Sequence, residues 1–219
     1  MSGIASEADC MPCSRGKYSA MIGQMNCTAC DAGQYQSVTG QIKCELCPEG
    51  HQCTDVTLDP MPCGVGRFTS NEGQMVCSSC NPGLFQNRTG QSTCQFCPIG
   101  NQCVGNGTIS PVPCDLGKYQ ISKGQTSCTV CGAGRFQLQT GQAICELCTA
   151  GHTCNNAALA PDPCDRGKYQ SNKGQTACAS CNPGRFQDQV YQSVMDTLIF
   201  SPSHPPCSSH STLKCLIFH

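Results

Sequence analysis

The fold of this chain is decided by one stretch, CSRGKYSAMIGQMNCTAC, at residues 13–30. The same order of residues returns at once between Cys30 and Cys47, so the pattern has a period of 17 residues. A fixed period of this kind predicts one small unit that is copied in tandem and stacked on its neighbours. Because so short a unit cannot bury a core of its own, we expect the cysteines to form its framework.

Each unit has fixed positions when residues are counted from its first cysteine, which makes Cys13 position 0. Glycine stands at +3, tyrosine or phenylalanine at +5, the dipeptide Gly-Gln at +10 and +11, and the next cysteine at +14. The last recognisable unit starts at Cys181. A longer period of 50 or 51 residues contains three units each time, and its copies start at Cys13, Cys63, Cys114 and Cys164.

Every third unit is altered in one consistent way. It keeps the glycine at +3 but loses the aromatic residue, and a proline replaces the cysteine expected at +13 or +14. A new cysteine appears at +6 in exchange. The altered units start at Cys47, Cys97 and Cys148, and their new cysteines are Cys53, Cys103 and Cys154.

This exchange of one cysteine for another favours a simple pairing rule, in which the second cysteine of each Cys-x-x-Cys bonds to the next cysteine downstream. Six cysteines per repeat allow about fifteen connectivities, so other pairings stay open. A bond that closes a loop of this length stabilises the fold by about 3 kcal/mol in the chain-entropy treatment. The rule proposes the disulfides Cys13–Cys27, Cys30–Cys44, Cys47–Cys53, Cys63–Cys77, Cys80–Cys94, Cys97–Cys103, Cys114–Cys128, Cys131–Cys145, Cys148–Cys154 and Cys164–Cys178.

The residues between the cysteines predict turns and short extended runs. Glycine at +3 and +10 is compatible with a positive φ and marks turn points, and the run between the two has no helical period. We expect the aromatic residue at +5 to pack on a neighbouring disulfide as a small local cluster rather than to stack on a ligand. The basic residues just before it are expected to be solvated, and these are Lys17, Arg67, Lys118, Arg135, Lys168 and Arg185.

The composition is typical of a disulfide scaffold. The chain has 24 cysteines in 219 residues and no tryptophan, and eight of its twelve aromatic residues stand at position +5. The formal net charge is −1 and the sequence shows no basic cluster, so we expect neither nucleic acid nor an anionic membrane as a partner. No stretch approaches the roughly 18 consecutive apolar residues of a membrane span.

So many cysteines require an oxidising compartment, which predicts an extracellular or cell-surface location. Residues 1–9 have neither a basic nor an apolar region, so they do not form a signal peptide. The chain is therefore expected to be part of a larger secreted or cell-surface protein. Its first unit begins in mid-repeat, because Cys10 already belongs to a Cys-x-x-Cys pair and lacks an upstream partner.

The combined pattern of Cys-x-x-Gly-x-Tyr/Phe, Gly-Gln, Cys-x-x-Cys and then Cys-Pro-x-Gly-x-x-Cys resembles the ephrin-receptor-like cysteine-rich repeat. That repeat belongs to the growth-factor-receptor cysteine-rich superfamily and is similar to tumour-necrosis-factor-receptor modules. The resemblance covers Cys10 to about Gln189. It implies a non-catalytic ectodomain and names no protein or glycan ligand, because the repeat occurs in proteins of differing roles.

Metal and redox chemistry are the alternatives to disulfides. Cys27-x-x-Cys30 followed by Cys44-x-x-Cys47 also has the form of a four-thiolate zinc site, although its spacer is short. Against zinc, the pairs do not divide into sets of four, and every third unit breaks the motif. A thioredoxin-like context for a redox Cys-x-x-Cys is not visible, and neither is a Ser-His-acid constellation. We therefore expect no cofactor, no metal and no enzyme activity.

Two Asn-x-Thr sequons, at Asn87 and Asn106, are candidates for glycosylation, whereas a third at Asn26 adjoins a disulfide cysteine and is the poorest. The repeat ends after Gln189, where Met195 stands in place of a cysteine. The abrupt change of composition there favours a reading-frame change or a retained intron in the gene model over a genuine tail, and we expect the tail to be disordered.

The predicted fold is an elongated tandem array of short β-rich modules, small and disulfide-rich, with little regular secondary structure. Its expected function is adhesion, ligand binding or spacing, and an intracellular zinc-binding interaction protein is the alternative. The predicted domains are repeats at 10–62, 63–113 and 114–163, a partial repeat at 164–189 and a tail at 190–219.

Overall fold

The secondary structure consists of short strands that pair in chain order. The computed structural model describes residues 10–188 and 196–197. In these residues there are 22 strands of two residues each and no helix. Consecutive strands pair antiparallel into eleven separate two-stranded hairpins. The strands are β1 Lys17–Tyr18, β2 Thr28–Ala29, β3 Gln34–Tyr35, β4 Glu45–Leu46, β5 His51–Gln52, β6 Met61–Pro62, β7 Arg67–Phe68, β8 Ser78–Ser79, β9 Leu84–Phe85, β10 Gln95–Phe96, β11 Asn101–Gln102, β12 Val112–Pro113, β13 Lys118–Tyr119, β14 Thr129–Val130, β15 Arg135–Phe136, β16 Glu146–Leu147, β17 His152–Thr153, β18 Asp162–Pro163, β19 Lys168–Tyr169, β20 Ala179–Ser180, β21 Arg185–Phe186 and β22 Asp196–Thr197.

Each hairpin is one unit of the sequence repeat, which confirms the predicted tandem array of small β-modules. The first strand holds positions +4 and +5, in the extended run that the sequence predicts. In the regular units up to the tenth, the second strand holds the two residues between the cysteines of Cys-x-x-Cys, and the sequence patterns did not predict it. Those two residues vary too much from unit to unit to show an alternating strand pattern.

The turn glycines behave as predicted. All eleven glycines at +3 and all eight glycines at +10 have a positive φ, between 67° and 84°. Gly16 shows why the residue at +3 matters, since its N–H donates to the Gln36 carbonyl at 2.8 Å and its carbonyl accepts from the Cys30 N–H at 2.9 Å. A residue in the left-handed region thus directs both of its backbone groups at the next unit.

The same hydrogen bonds join each unit to the next one. The N–H of the next unit's first cysteine donates to the glycine carbonyl at +3 at all ten junctions of the described part. The glycine at +10 donates in addition to the carbonyl of the preceding unit's first cysteine, as Gly40 does to Cys13 at 2.8 Å. Within the described residues, none of these bonds joins residues more than 27 positions apart, so the units form a linear array and share no common core.

The units also reach their second neighbours, which the sequence did not predict. A Cβ atom added at Gly33, in the second unit, would collide with the backbone carbonyl of Gly73, in the fourth. The residue before each first cysteine fills the space beside the same glycine, as Leu46 does with its Cδ2 atom 3.5 Å from a Cβ built on Gly73. Each of the first eight units therefore packs on the two that follow it.

Apolar burial is confined to small satellite clusters, as predicted. Phe85 packs with Cys97 and Cys103, and Phe136 packs with Cys148 and Cys154. Each aromatic ring thus covers the short-loop disulfide of the next, altered unit. The remaining aromatic residues at +5 are half-buried or exposed. The predicted tail at 190–219 lies outside the described residues, apart from β22, which pairs with β21.

Candidate functional site: the stapled hairpin and its exposed face

A disulfide spans each of the first ten hairpin units. The structure brings together both cysteines of every pair that the downstream rule proposes, with Cα–Cα distances of 5.6–5.9 Å. These distances are those that a disulfide requires. Seven of the bonds join positions 0 and +14, and the three in the altered units join positions 0 and +6.

The disulfides are largely shielded from solvent by neighbouring units. The side chains of Cys97 and Cys103 are both 0 % exposed, and the first cysteine of most units is equally inaccessible. A small external reductant therefore meets a barrier of packed backbone before it reaches the sulfur atoms. Cys10, which is exposed, and Cys181, which is half-buried, form no disulfide within the described residues.

Position +6 is the polar centre of each regular unit. Gln86 is 1 % exposed, its Nε2 atom donates to the Thr93 carbonyl at 2.7 Å, and its Oε1 atom accepts from the Arg88 N–H at 3.0 Å. Four further glutamines make the same two bonds in their own units. They are Gln36, Gln120, Gln137 and Gln170. The side chain thus ties both ends of the loop between the strands together.

The altered units show that +6 is a structural position in every unit. There Cys53, Cys103 and Cys154 occupy the place of the glutamine, and each bonds to the first cysteine of its own unit. A buried amide that ties the loop by hydrogen bonds is thus exchanged for a covalent bond. The residue at +5 of the altered unit makes a polar contact as well. The Oε1 atom of Gln52 accepts a hydrogen bond from the Cys77 N–H of the next unit at 3.2 Å.

Sequence analysis missed position +6, although a signal was present. Glutamine stands there in six of the eight regular units, nearly as often as the Gly-Gln dipeptide, which stands in seven. The signal was passed over because glutamine is a residue type that is mostly exposed. Its burial is explained by the loop backbone, which supplies a donor and an acceptor that only an amide side chain can satisfy together.

The two faces of each hairpin differ in charge. In the seventh unit Lys118 lies opposite Val130, and Tyr119 lies opposite Thr129. Residues opposite one another share a face, so positions +4 and +16 lie on one face and +5 and +15 on the other. The acidic residues of the described strands, among them Glu45, Glu146 and Asp162, lie opposite the residue at +5. The face formed by +4 and +16, called the outer face below, therefore has no strand carboxylate.

The outer face carries a groove between successive units. Its volume is about 400 Å³, and it lies where the seventh, eighth and ninth units meet. Leu116, Val130 and Ala133 form apolar walls, and the basic side chains Lys118 and Arg135 border it. Most of the basic residues at +4 are exposed, in line with the expectation that they are solvated.

The cysteines of the proposed zinc motif are divided among three disulfides. Cys27 bonds to Cys13, Cys30 bonds to Cys44, and Cys47 bonds to Cys53. A tetrahedral site needs four thiolates at once, and these sulfur atoms carry no free thiol. Across residues 10–188 and 196–197, no three His, Cys, Asp or Glu side chains cluster at a spacing suited to a metal ion.

Asp55 has a shifted pKa, and the cause is local. Hydrogen bonds from the Thr57 hydroxyl at 2.7 Å and the Thr57 N–H at 2.8 Å lower the pKa of this exposed carboxyl. This is the geometry of an Asx turn, which closes the loop of the third unit. The shift is therefore a feature of the turn and does not indicate an acid–base pair.

The candidate glycosylation sites lie on exposed loops. Asn87 and Asn106 are both exposed, and their units are adjacent, since the Gln86 N–H donates to the Thr108 carbonyl at 3.0 Å. Asn26 is exposed as well and directly precedes Cys27 in its disulfide. Whether any of the three carries a glycan stays a prediction.

Comparison with known families identifies the unit. The family described as "Tyrosine-protein kinase ephrin type A/B receptor-like" matches residues 16–57, 66–114 and 161–194, which together are more than half of the chain. No curated protein matches the chain. The unmatched residues between the second and third segments fold as the same stapled hairpins, for example β13 with β14. Within the described residues, no helix is long and apolar enough to cross a membrane.

Proposed function

The chain belongs to the ephrin type A/B receptor-like family of cysteine-rich repeats, and from this membership we propose that it works outside the cell as a non-catalytic array of modules. The matched family is a receptor-like cysteine-rich repeat and not a catalytic domain. Many disulfides and a receptor-like family both favour an extracellular location. We place the chain in a larger secreted or cell-surface protein, where it serves in adhesion, in ligand binding or as a spacer.

The observation that carries this proposal is the unbroken register of ten disulfides from Cys13 to Cys178. Hairpins with two-residue strands are marginal by themselves in water, so the covalent bonds must supply most of the stability. A reducing cytosol would remove them, and the array would then lose its fold. Oxidising conditions are therefore a requirement of the structure as well as a property of its family.

A linear array is better suited to presenting binding surfaces than to catalysing a reaction. Its buried polar side chains form hydrogen bonds close by in the chain, as Gln86 does with the backbone of its own loop. Its surface is repetitive, so it offers similar contacts at regular intervals along its length. These properties support a role in holding partners at a fixed spacing, with the ligand contacted by the varied residues of the outer face.

The test is the redox state of the purified protein. Expressed through a secretory pathway, it should show few free thiols and bind no stoichiometric zinc, with the cysteines paired as described. Zinc at about one ion per four cysteines, released by a chelator together with unfolding, would favour the intracellular zinc-binding alternative instead. Peptide mapping under non-reducing conditions would check each pair, and the same digest would show whether Asn87 and Asn106 carry glycans.

A further inference from the structure

The outer face of the second half of the array carries an uninterrupted row of basic side chains. Position +4 of five consecutive units is occupied by a cationic or imidazole side chain, and these residues are Lys118, Arg135, His152, Lys168 and Arg185. The sequence hides this row because its members stand 16 or 17 residues apart. Stacking of the units is what makes them neighbours.

The first two members of the row border one groove. Lys118 and Arg135 belong to different units, yet both line the groove of about 400 Å³ on the outer face. The junction hydrogen bonds are the same from unit to unit, since Cys131 donates to Gly117 and Cys148 donates to Gly134, each from N–H to carbonyl. Equivalent junctions repeat one displacement, so later members of the row follow each other in the same way.

Few acidic groups oppose the row. The cross-strand neighbours of its first four members are Val130, Leu147, Pro163 and Ser180, all of them uncharged. The acidic strand residues lie on the opposite face, as shown above. Asp115 and Asp165 pair with Lys118 and Lys168 at 3.1 and 3.3 Å, but both carboxylates are largely exposed. Exposed ion pairs of this kind are weak and exchange readily for another anion.

We infer that this row, called the basic row, binds a linear sulfated polysaccharide along the outer face. A ligand with anionic groups at regular intervals can meet one basic side chain per unit, and each contact releases condensed counterions. This inference rests on the proposed extracellular function, because sulfated polysaccharides are found there. The row lacks the aromatic platforms on which single-stranded nucleic acids stack, since its cross-strand neighbours are aliphatic or polar.

The first half of the array supplies a matched control. There neutral residues interrupt the run of basic side chains at position +4. The residues at this position are Lys17, Gln34, His51, Arg67, Leu84 and Asn101. Arg67 even makes the same structural bond as Arg135, from Nη1 to the carbonyl of the cysteine at +14, at 3.4 and 3.2 Å. Equal changes of charge can thus be compared at equivalent positions.

The experiment measures binding of the oxidised full chain to heparin oligosaccharides by calorimetry at several salt concentrations. The double variant K118Q/R135Q should bind about tenfold more weakly and show a smaller salt dependence, whereas K17Q/R67Q should change the affinity less than about twofold. The variant Gln34→Lys, which joins four basic units at the start of the chain, should strengthen binding. Counts of free thiols establish that each variant keeps its disulfides.

Three outcomes would overturn the inference. One is the absence of binding at physiological salt, and a second is an equal loss in both double variants, which would assign the binding to net charge. The third is tighter binding of a single-stranded oligonucleotide of matched charge, which would assign the row to nucleic acid. In each case an intact set of disulfides without zinc would leave the proposed extracellular function standing.

Discussion

At the scale of the residue, the glutamine at +6 makes the most specific side-chain contacts in the unit. Gln86 is almost fully buried, and both ends of its amide are bonded to backbone groups of the same loop. The amide is the one neutral side-chain group that donates and accepts at adjacent atoms, so serine or alanine cannot reproduce both contacts. Where the sequence departs from glutamine, as at Thr69, the buried hydroxyl donates to the His51 carbonyl of the preceding unit instead, at 3.1 Å.

Replacing Gln86 with alanine should therefore lower the free energy of local unfolding of its unit by about 2 kcal/mol. The Arg88 N–H and the Thr93 carbonyl would lose their partner in a partly buried loop. Native-state hydrogen exchange of residues 80–94 measures the change. The control is Gln91→Ala in the same unit, whose amide makes only an exposed bond to the Thr89 carbonyl and whose loss should cost less than about 0.5 kcal/mol. Equal losses in the two variants would contradict a special role for +6.

At the scale of the element, each hairpin depends on its staple. A pair of two-residue strands buries little surface, and isolated hairpins are marginal even when they are longer. The bond between Cys114 and Cys128 closes the loop that starts just before β13 and ends at β14. By restricting the unfolded chain, this bond stabilises the folded hairpin by about 3 kcal/mol in the chain-entropy treatment.

Changing Cys114 and Cys128 together to serine should cost about 2–5 kcal/mol and unfold the seventh unit locally. Limited proteolysis should then reveal new cleavage between residues 114 and 128. The control Tyr119→Ala removes a half-buried ring from the same hairpin and should cost about 1–2 kcal/mol without new cleavage. Cooperative unfolding of the whole chain would show that the units share one core. No change at all would show that the proposed bond is absent.

At the scale of the whole molecule, contact between second neighbours gives the array its continuity. The glycine at +3 of one unit meets the backbone at +10 of the unit after next, as Gly33 meets Gly73. No side chain fits between these two backbones. The array is therefore held by overlapping contacts among three units, which should resist bending more than contacts between adjacent units alone.

The variant Gly33→Ala tests this continuity. Alanine there would combine the strain of a positive φ with a collision against the Gly73 backbone, at a total cost of about 3 kcal/mol. Gly167→Ala is the matched control, since Gly167 stands at the same position with a φ of 77° and meets no atom within 4 Å among the residues described. That variant should cost only the strain of about 1–2 kcal/mol. Hydrogen exchange of the second and fourth units measures the difference, and equal costs would mean that the contact carries no energy.

Much of this architecture could be predicted from local spacing. The period of 17 residues, the turn glycines at +3 and +10, the extended run at +4 and +5 and the small aromatic clusters at Phe85 and Phe136 were all readable, because each depends on residues close in the chain. The family was readable for the same reason, since its motif lies within one unit. Asn87, Asn106 and the tail stay predictions.

The sequence by itself determined that this protein is a tandem array framed by its cysteines, because a fixed period marks a repeated unit and so short a unit cannot bury a core of its own. Only the tertiary structure decided which polar residues are buried, which units touch and which charges are neighbours. Gln86 is buried by a loop that folds over it, and Gly33 is confined by a backbone forty residues away. Lys118 and Arg135 share a groove because the stacking of units, which no local pattern encodes, brings position +4 of one unit beside that of the next.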